Sequence, residues 1–520
     1  MSIKYDIIII GTGAGGGTLA YKLAPSGKKI LILERGDFLP KEIENWNPRE
    51  VYTKGRYRTI EKWKDKEGKE FSPFTHYWVG GNTKMYGAAL LRLREEDFIA
   101  REHYDGISPA WDLGYKDFAP WYDEAELVYS VHGMRGLDPT EPYSAKPYPF
   151  PPIPVEDSIK GIWMDMEKAG LRPSTIPIGV RLPQDNPAAD GFQNLSLFDG
   201  YPDPTEAKAD AHVVAIRAAL QHENVHILTG RKAEKLITSQ DGKRVTQVIT
   251  TGSHGEEKFE ADTIVISAGA INSAALLLNS SNEHHPKGLG NSSGLLGKNL
   301  MLHNNGTVVA ISPMKNTAIF QKSILLTDFY HGANDSAFPL GSVQLMGKTD
   351  PDTLRDEIEE LHLNGSLVKN AYGEIDIDYY ASHSVDFFIT AEDLPKSTNR
   401  VRCEDGMIRL DYTPNNLQAY QRLKDKLIQI MNQIGMKHSY SKDTVYGGFK
   451  LGISGVSHQS GTCKFGHDPN TSVLDLHCKM HDLENVYVVD TSFFPSSGAV
   501  NPALTAMANA LRVGTHLSKI

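Results

Sequence analysis

Cysteine is nearly missing from this chain: 520 residues carry three, Cys403, Cys463 and Cys478. Three cannot build a disulfide framework, and none stands in a Cys-x-x-Cys spacing suited to metal or redox work. They read as reduced thiols of a cytoplasmic protein. Long apolar runs are missing too; no segment reaches the roughly 20 residues needed to cross a bilayer. The opening residues MSIKYDIIIIG pass directly into a strand, without a charged leader, a small-residue cleavage site or a twin arginine, and an unprocessed, soluble protein is expected. Dense basic runs are also missing. With 54 Lys and Arg against 64 Asp and Glu, the formal charge is -10, which leaves no footprint for nucleic acid or an anionic membrane. Neither an internal repeat nor a low-complexity tract is present. A small substrate, neutral or modestly charged, fits what remains.

At 40% apolar residues the chain exceeds what one hydrophobic core supports, so two domains are expected. Tyr5 to Ile10 is an apolar, β-branched run, bounded by Gly11, Thr12, Gly13, Ala14, Gly15 and Gly16. A helical stretch from Thr18 to Leu23 follows, then a second apolar run, Lys29 to Leu33, ending at Glu34. Strand, glycine turn, helix, strand and acid within about 30 residues is a βαβ unit. Residues 37–75 lose this regularity. They are polar, charged and aromatic (Trp46, Tyr52, Tyr57, Trp63) and read as a lid or an excursion over another domain; the Pro-rich stretch 137–156 reads as a similar crossing. Short strands return at Val225 to Leu228, Val245 to Ile249 and Thr263 to Ile266, before a helix over 271–279. From 306 to 410 apolar and polar residues alternate, as in Val385 to Thr390 and Met407 to Tyr412, which predicts a mainly antiparallel sheet with one wet face. Leu417 to Met436 reads as a long helix, Asn485 to Val489 as a buried strand ending in Asp490, and a final helical run follows Pro502.

Gly11, Gly13 and Gly16 satisfy G-x-G-x-x-G, and each has a physical task. The first allows the tight turn, the second lets the backbone approach a pyrophosphate, and the third permits close packing of helix on strand. The amides and positive dipole end of the helix starting near Ala14 and Gly15 would meet the phosphate oxygens. Glu34 is placed to accept hydrogen bonds from the adenosine ribose and disfavours a ribose phosphate. The loop alone does not separate NAD from FAD.

Motifs spread along the whole chain resemble the glucose-methanol-choline (GMC) family of flavoproteins. They are G-G-N-T-K-M-Y-G-A-A at 80–89, W-x-x-x-Y-x-x-F-A-P-W-Y from Trp111 to Tyr122, and S-A-G-A-I-N-S-A-A-L-L at 267–277. They continue with G-K-N-L-M-L-H at 297–303, E-D-L-P-x-x-x-N-R-V at 392–401, H-Q-S-G-T-C-K-F-G at 458–466, and V-V-D-T-S-x-F-P-x-x-x-x-x-N-P-A at 488–503. One segment departs from the pattern: Ala274 and Ser281 stand where the family has Pro or Ser and then Gly.

The resemblance implies an α/β fold with a Rossmann-type FAD-binding domain and a second, discontinuous α+β substrate domain on a largely antiparallel sheet. The first would comprise 1–40, 76–135, 210–303 and 450–520; the lid and substrate domain would comprise 41–75, 136–209 and 304–449. It further implies that Gly80, Gly81, Asn82 and Thr83 wrap the flavin pyrophosphate and ring edge, that Ala268 lies near the adenine, and that Asp490 contacts the ribityl region. Arg35, Met85, Tyr86, Ala88, Ala233 and Pro502 complete the implied cofactor surface. Met85 stands where some relatives carry the histidine that bonds FAD, so noncovalent FAD is expected. His76, in a different register, reads as structural or pocket-lining.

Hydride leaves a carbinol carbon readily only as the hydroxyl proton leaves, so the site needs a base near neutral pKa and a donor to the developing alkoxide. His458, in the Gly/Ser-rich turn Ser454 to Gly461, matches the family's catalytic histidine, and Asn501 its second active-site position. The implied reaction is oxidation of an alcohol, most simply a sugar or glycoside secondary hydroxyl, with hydride passing to flavin N5 and electrons to oxygen or a quinone-type acceptor. Choline-type and simple alcohol dehydrogenases or oxidases share the pair. A hydroxynitrile-lyase-like use of the histidine, or a nicotinamide enzyme with only the loop in common, are further alternatives. His467, His477 and His481 lie near Cys463 and Cys478, but their spacings match no zinc pattern and no metal is expected. Glu392 faces the active site or serves as a cap or ion-pair partner, and the aromatic residues of 46–78 stack on a sugar or pack the lid.

Overall fold

The N-terminal apolar run forms the strand Lys4–Ile10 inside a seven-stranded sheet. The structure, a computed structural model, describes residues 4–182, 197–253, 255–360, 376–443 and 457–520. In the sheet the order is Lys232–Thr238, Val245–Gly252, Gly255–Ile266, Lys4–Ile10, Ile30–Leu33 and Val225–Leu228. Gly255–Ile266 changes partner along its length. Its first half pairs antiparallel with Val245–Gly252, and its second half runs parallel to both Lys4–Ile10 and Val486–Val488. The parallel strands carry aliphatic side chains toward both faces, as strands covered on both sides must: Ile7 to Ile10, Ile30 to Leu33, Ile264 to Ile266 and Val486 to Val489 are all buried. The helix Ala14–Leu23 packs on the C-terminal helix Ala503–Leu517, so the two ends of the chain close one layer of this core.

A second, five-stranded sheet has the order Leu325–Leu326, Ser342–Gly347, Ser384–Ala391, Asn304–Ile311 and Lys437–Asp443, with antiparallel pairing throughout. Period-two alternation divides its side chains. Val343, Leu345, Phe387 and Ile389 pack under the helices Asp157–Lys168 and Leu417–Gln433, whose Ile159, Met166, Tyr420, Leu423 and Leu427 share that core. The alternate residues Met346 and Phe388 face a cleft. No helix among the described residues is long and apolar enough to cross a membrane.

The region from 306 to 410 does not stay in one sheet. The hairpin Arg400–Glu404 and Met407–Asp411 leaves the five-stranded sheet and joins Trp63–Lys64 and Glu70–Phe71 in a separate four-stranded sheet. Residues 37–75 are therefore less irregular than their composition predicted. Trp63 is buried against Phe71 at a ring distance of 6.3 Å, and two-residue strands whose partner, Arg409 opposite Lys64, lies 345 positions away carry no period of their own. The other elements read from the sequence share at least one boundary with the structure to within four residues, although Gly255–Ile266 starts eight residues before Thr263, and Tyr115–Val128, Asp157–Lys168 and Lys232–Thr238 had no sequence reading.

Candidate active site

Four of the five parallel strands of the large sheet deliver a residue one or two positions past their ends to one edge, the geometry by which open α/β sheets bind ligands. Gly11 follows Ile10, Glu34 follows Leu33, Ala268 lies two past Ile266 and Asp490 two past Val488; all four line a single cleft with a volume of about 480 Å³. Gly13, Ala14, Gly15, Arg35, Gly81 and Asn82 belong to its wall. So do Thr83, Met85, Tyr86, Ala88, Ala233 and Pro502, and, at the end bounded by Met346 and Phe388, His458 and Asn501. Gly16 and Gly80 stand behind the wall. A side chain on Gly16 would meet Gly11 O at 2.1 Å, while the Gly80 amide donates to Thr12 Oγ1 at 2.9 Å.

The cradle suits a dinucleotide on its own geometry. Gly11, at φ +102°, and Gly15 are pressed against backbone, their Cβ positions 2.3 Å from Ser267 O and 1.9 Å from Val489 O. Gly13 is different: nothing lies within 4 Å of its Cβ position, which looks into the cleft. Three helices, Ala14–Leu23, Ala270–Asn279 and Ala503–Leu517, bring their capping residues Gly13, Gly269 and Pro502 to the same wall. The first-turn amides and dipoles of these helices would suit a pyrophosphate there.

Glu34 is more occupied than its position in the sequence shows. Its carboxylate accepts from Thr12 Oγ1 at 2.5 Å, Thr12 N at 3.1 Å and Gly36 N at 2.9 Å, while burial pushes its pKa up against those donors. Arg35 stacks on Tyr77 at 3.5 Å and reaches Glu61 at 3.4 Å, and all three line the cleft. Asp490 accepts from Gly269 N, Ser273 Oγ, Ser492 N and Ser492 Oγ, so its carboxylate ties the last strand to the helix Ala270–Asn279. His76 lines the cleft with Nδ1 on Tyr57 O at 2.9 Å, and burial pushes its pKa down to about 4.

His458 and Asn501 meet. His458 Nε2 lies 3.5 Å from Asn501 Nδ2, at the long limit of a hydrogen bond, and the Asn501 side chain is oriented by Gln344, whose Nε2 donates to Asn501 Oδ1 at 2.6 Å. Behind His458 stands His303, which the sequence contained at the end of a motif but did not single out. The two Nδ1 atoms are 3.1 Å apart with the rings at 90°, and His303 Nε2 lies 3.3 Å from Ser497 O. A carbonyl can only accept, so His303 carries its proton on Nε2 and presents a lone pair at Nδ1. His458 then donates from Nδ1, and its Nε2 lone pair faces Asn501 and the cleft. Burial above all, then the neighbouring His303 and Lys322, holds the His458 pKa well below the usual histidine range. The arrangement places an unprotonated base and an N–H donor at one point.

Other expectations resolve away from the cleft. Of the turn Ser454 to Gly461, residues 454–456 lie outside the described residues. Glu392 is an ion-pair partner: it sits 3.2 Å from His103 Nε2 and accepts from Ser108 Oγ and Gly498 N, bracing the loop that leads to Asn501. Of the aromatic residues in 46–78, Tyr52, Phe74 and Tyr77 reach the cleft, whereas Tyr57 and Trp63 are packed. Among the described residues no three metal-ligating side chains converge, and the His477 ring stacks on His516 at 4.0 Å. Lys322 and Asp199, both in the cleft wall, had no signal in the sequence because each lies in a segment without period.

Comparison with known proteins agrees with this geometry. Residues 75–305 and 395–510 match the N- and C-terminal family models described as GMC oxidoreductase. The chain is 30% identical to a 6'''-hydroxyparomomycin C oxidase from Streptomyces lividus, over 99% of this chain and 92% of that protein. It is 28% identical to a paromamine 6'-oxidase from Streptomyces fradiae, over 98% and 90%. Among solved structures, pyridoxine 4-oxidase from Mesorbium loti superposes with a TM-score of 0.67 at 18% identity, covering 99% of both chains.

Proposed function

The chain belongs to the GMC oxidoreductase family, whose members are FAD-dependent enzymes acting on alcohol groups, and from that premise we propose that it oxidises a secondary hydroxyl of a sugar or glycoside to a carbonyl. The observation that carries this reading is the meeting of His458 Nε2 with Asn501 Nδ2 in the same cleft as the glycine cradle. FAD, which the glycine cradle around Gly11, Gly13 and Gly15 would hold without a covalent link at Met85, would supply the two-electron acceptor for the carbinol hydride. His458 takes the hydroxyl proton on Nε2, and Asn501 donates to the oxygen as it becomes anionic. The two Streptomyces relatives named above, oxidases of 6'''-hydroxyparomomycin C and of paromamine, support a carbohydrate substrate. Electrons then leave to oxygen or to a quinone-type acceptor.

An anaerobic screen of sugars, glycosides, choline and simple alcohols, read by bleaching of the flavin, tests the reading, and admission of oxygen or a quinone afterwards identifies the acceptor. Bleaching by glycosides in preference to choline and simple alcohols is expected. A flavin that no alcohol reduces sinks the proposal.

His303 enters as a positioning residue, holding the Nδ1–H tautomer of His458. His303→Ala should slow flavin reduction by roughly tenfold to a hundredfold, the scale of one orienting hydrogen bond in a site that transfers a proton. His303→Asn should recover most of that loss, because its Oδ1 replaces the acceptor and asparagine tolerates the left-handed backbone of this position, at φ 60°. Equal losses in the two variants, measured with FAD content unchanged, would refute the tautomer-holding role.

A further inference from the structure

The cleft holds a second polar constellation that proton abstraction does not use. Lys322, 3% exposed, and Asp199 line the same cleft as His458, and the Lys322 ammonium donates to Asp199 Oδ2 at 2.5 Å. Among the described residues this is the one hydrogen bond of an ammonium that has three N–H groups, and Asp199 Oδ1 has no donor. Lys322 thus keeps two N–H groups, and Asp199 one carboxylate oxygen, available to a group that enters the cleft.

The pair is held rigidly from several sides. Lys208 Nζ donates to Phe198 O and Tyr201 O, both at 2.7 Å, and so brackets Asp199; Gly200 N donates to Met85 O at 2.9 Å. The carboxylate lies against Gly87, where a Cβ would stand 2.4 Å from Oδ2 and 2.6 Å from Oδ1. Phe198 packs edge-on to Phe320 at 5.5 Å, which joins the segment carrying Asp199 to the one carrying Lys322.

We propose that the Lys322–Asp199 pair is the specificity site for a second hydroxyl of the substrate, so that the enzyme selects polyols and glycosides over alcohols with a single hydroxyl. This rests on the alcohol-oxidising reading above. A hydroxyl can both accept from Lys322 and donate to Asp199, whereas a methyl group or a quaternary ammonium can do neither. The pair carries no net charge, which suits a neutral polyol better than an ionic one. It lines the same cleft as His458, whose pKa the Lys322 charge helps to lower.

Anaerobic flavin reduction of the holoenzyme by methyl β-glucopyranoside and its monodeoxy analogues tests this. Lys322→Met and Asp199→Asn should each lower the second-order rate constant of flavin reduction by the glycoside about 10²-fold, as expected for a charge-assisted hydrogen bond. One deoxy analogue should show the same loss with the wild-type enzyme, and combining that analogue with either variant should add little. A loss that is the same on every analogue overturns the proposal. Because a single replacement leaves one buried charge unpaired, the double variant Lys322→Met/Asp199→Asn provides the same comparison with the charges removed together, and its FAD content reports folding. If no glycoside reduces the flavin, the sugar-oxidising reading fails by itself. Equilibrium binding of the same compounds, followed through the flavin spectrum, then decides the pair: binding that weakens about 10²-fold in the variants supports it, and unchanged or undetectable binding overturns it.

Discussion

Replacement of His458 by alanine is expected to slow flavin reduction by roughly 10² to 10⁴, the usual contribution of a general base, while FAD stays bound. The size follows from what Nε2 alone supplies. Asn501 can donate to the substrate oxygen, but its amide cannot take a proton, and the Nδ1 lone pair of His303 is spent on the His458 N–H. The same residue sets the pH profile. The reactive form is unprotonated, and burial, then His303 and Lys322, push the His458 pKa below its ordinary value. The proton therefore goes on at lower pH than for a free imidazole. Wild-type kcat/KM should stay level as pH falls through the usual histidine range and decline only below it, and the alanine variant should lack that decline. Near-normal flavin reduction by the variant, or an acid limb at the ordinary histidine pKa, would contradict the assignment.

Gly13→Val should abolish FAD binding without unfolding the protein. The distinction rests on where each glycine looks. A side chain at Gly15 or Gly16 would meet backbone oxygen at 1.9 or 2.1 Å, so those replacements break the packing of helix on sheet itself. At Gly13 nothing lies within 4 Å, and the valine methyls enter the cleft, in the path of a pyrophosphate. The purified variant should be colourless, with a circular dichroism spectrum and melting temperature like those of wild-type protein stripped of flavin. Acid precipitation of the wild type should release its flavin to the supernatant, in keeping with Met85 at the position where some relatives carry the histidine that bonds FAD. A yellow Gly13→Val protein with a full complement of FAD would show that the cradle is not the pyrophosphate site.

Much of the cofactor end was legible in the sequence because it is built from contiguous residues. A β-branched run, glycines at fixed offsets, a helix and an acid specify a strand, a turn and a cap through local backbone preferences, and those preferences need no distant partner. The sheet containing Trp63–Lys64 was not legible for the opposite reason: its neighbour, Met407–Asp411, comes from more than three hundred residues away. Glu392 shows an intermediate case. Its motif marked the segment, yet only its contacts with His103, Ser108 and Gly498 placed it beneath the Asn501 loop rather than in the cleft.

The substrate end divides in the same way. By itself the sequence determined the family, the glycine loop, and the residue types at positions 458 and 501. Tertiary structure alone decided that His303 stands behind His458, 155 residues away in the chain, and so which imidazole nitrogen is free to accept a proton. It alone brought Lys322 to Asp199 across 123 residues, both from segments without regular period. The physical reason is common to both. A tautomer or a buried ammonium is defined by the partners that desolvation forces it to find, and those partners are chosen by packing between segments whose separation no local pattern records.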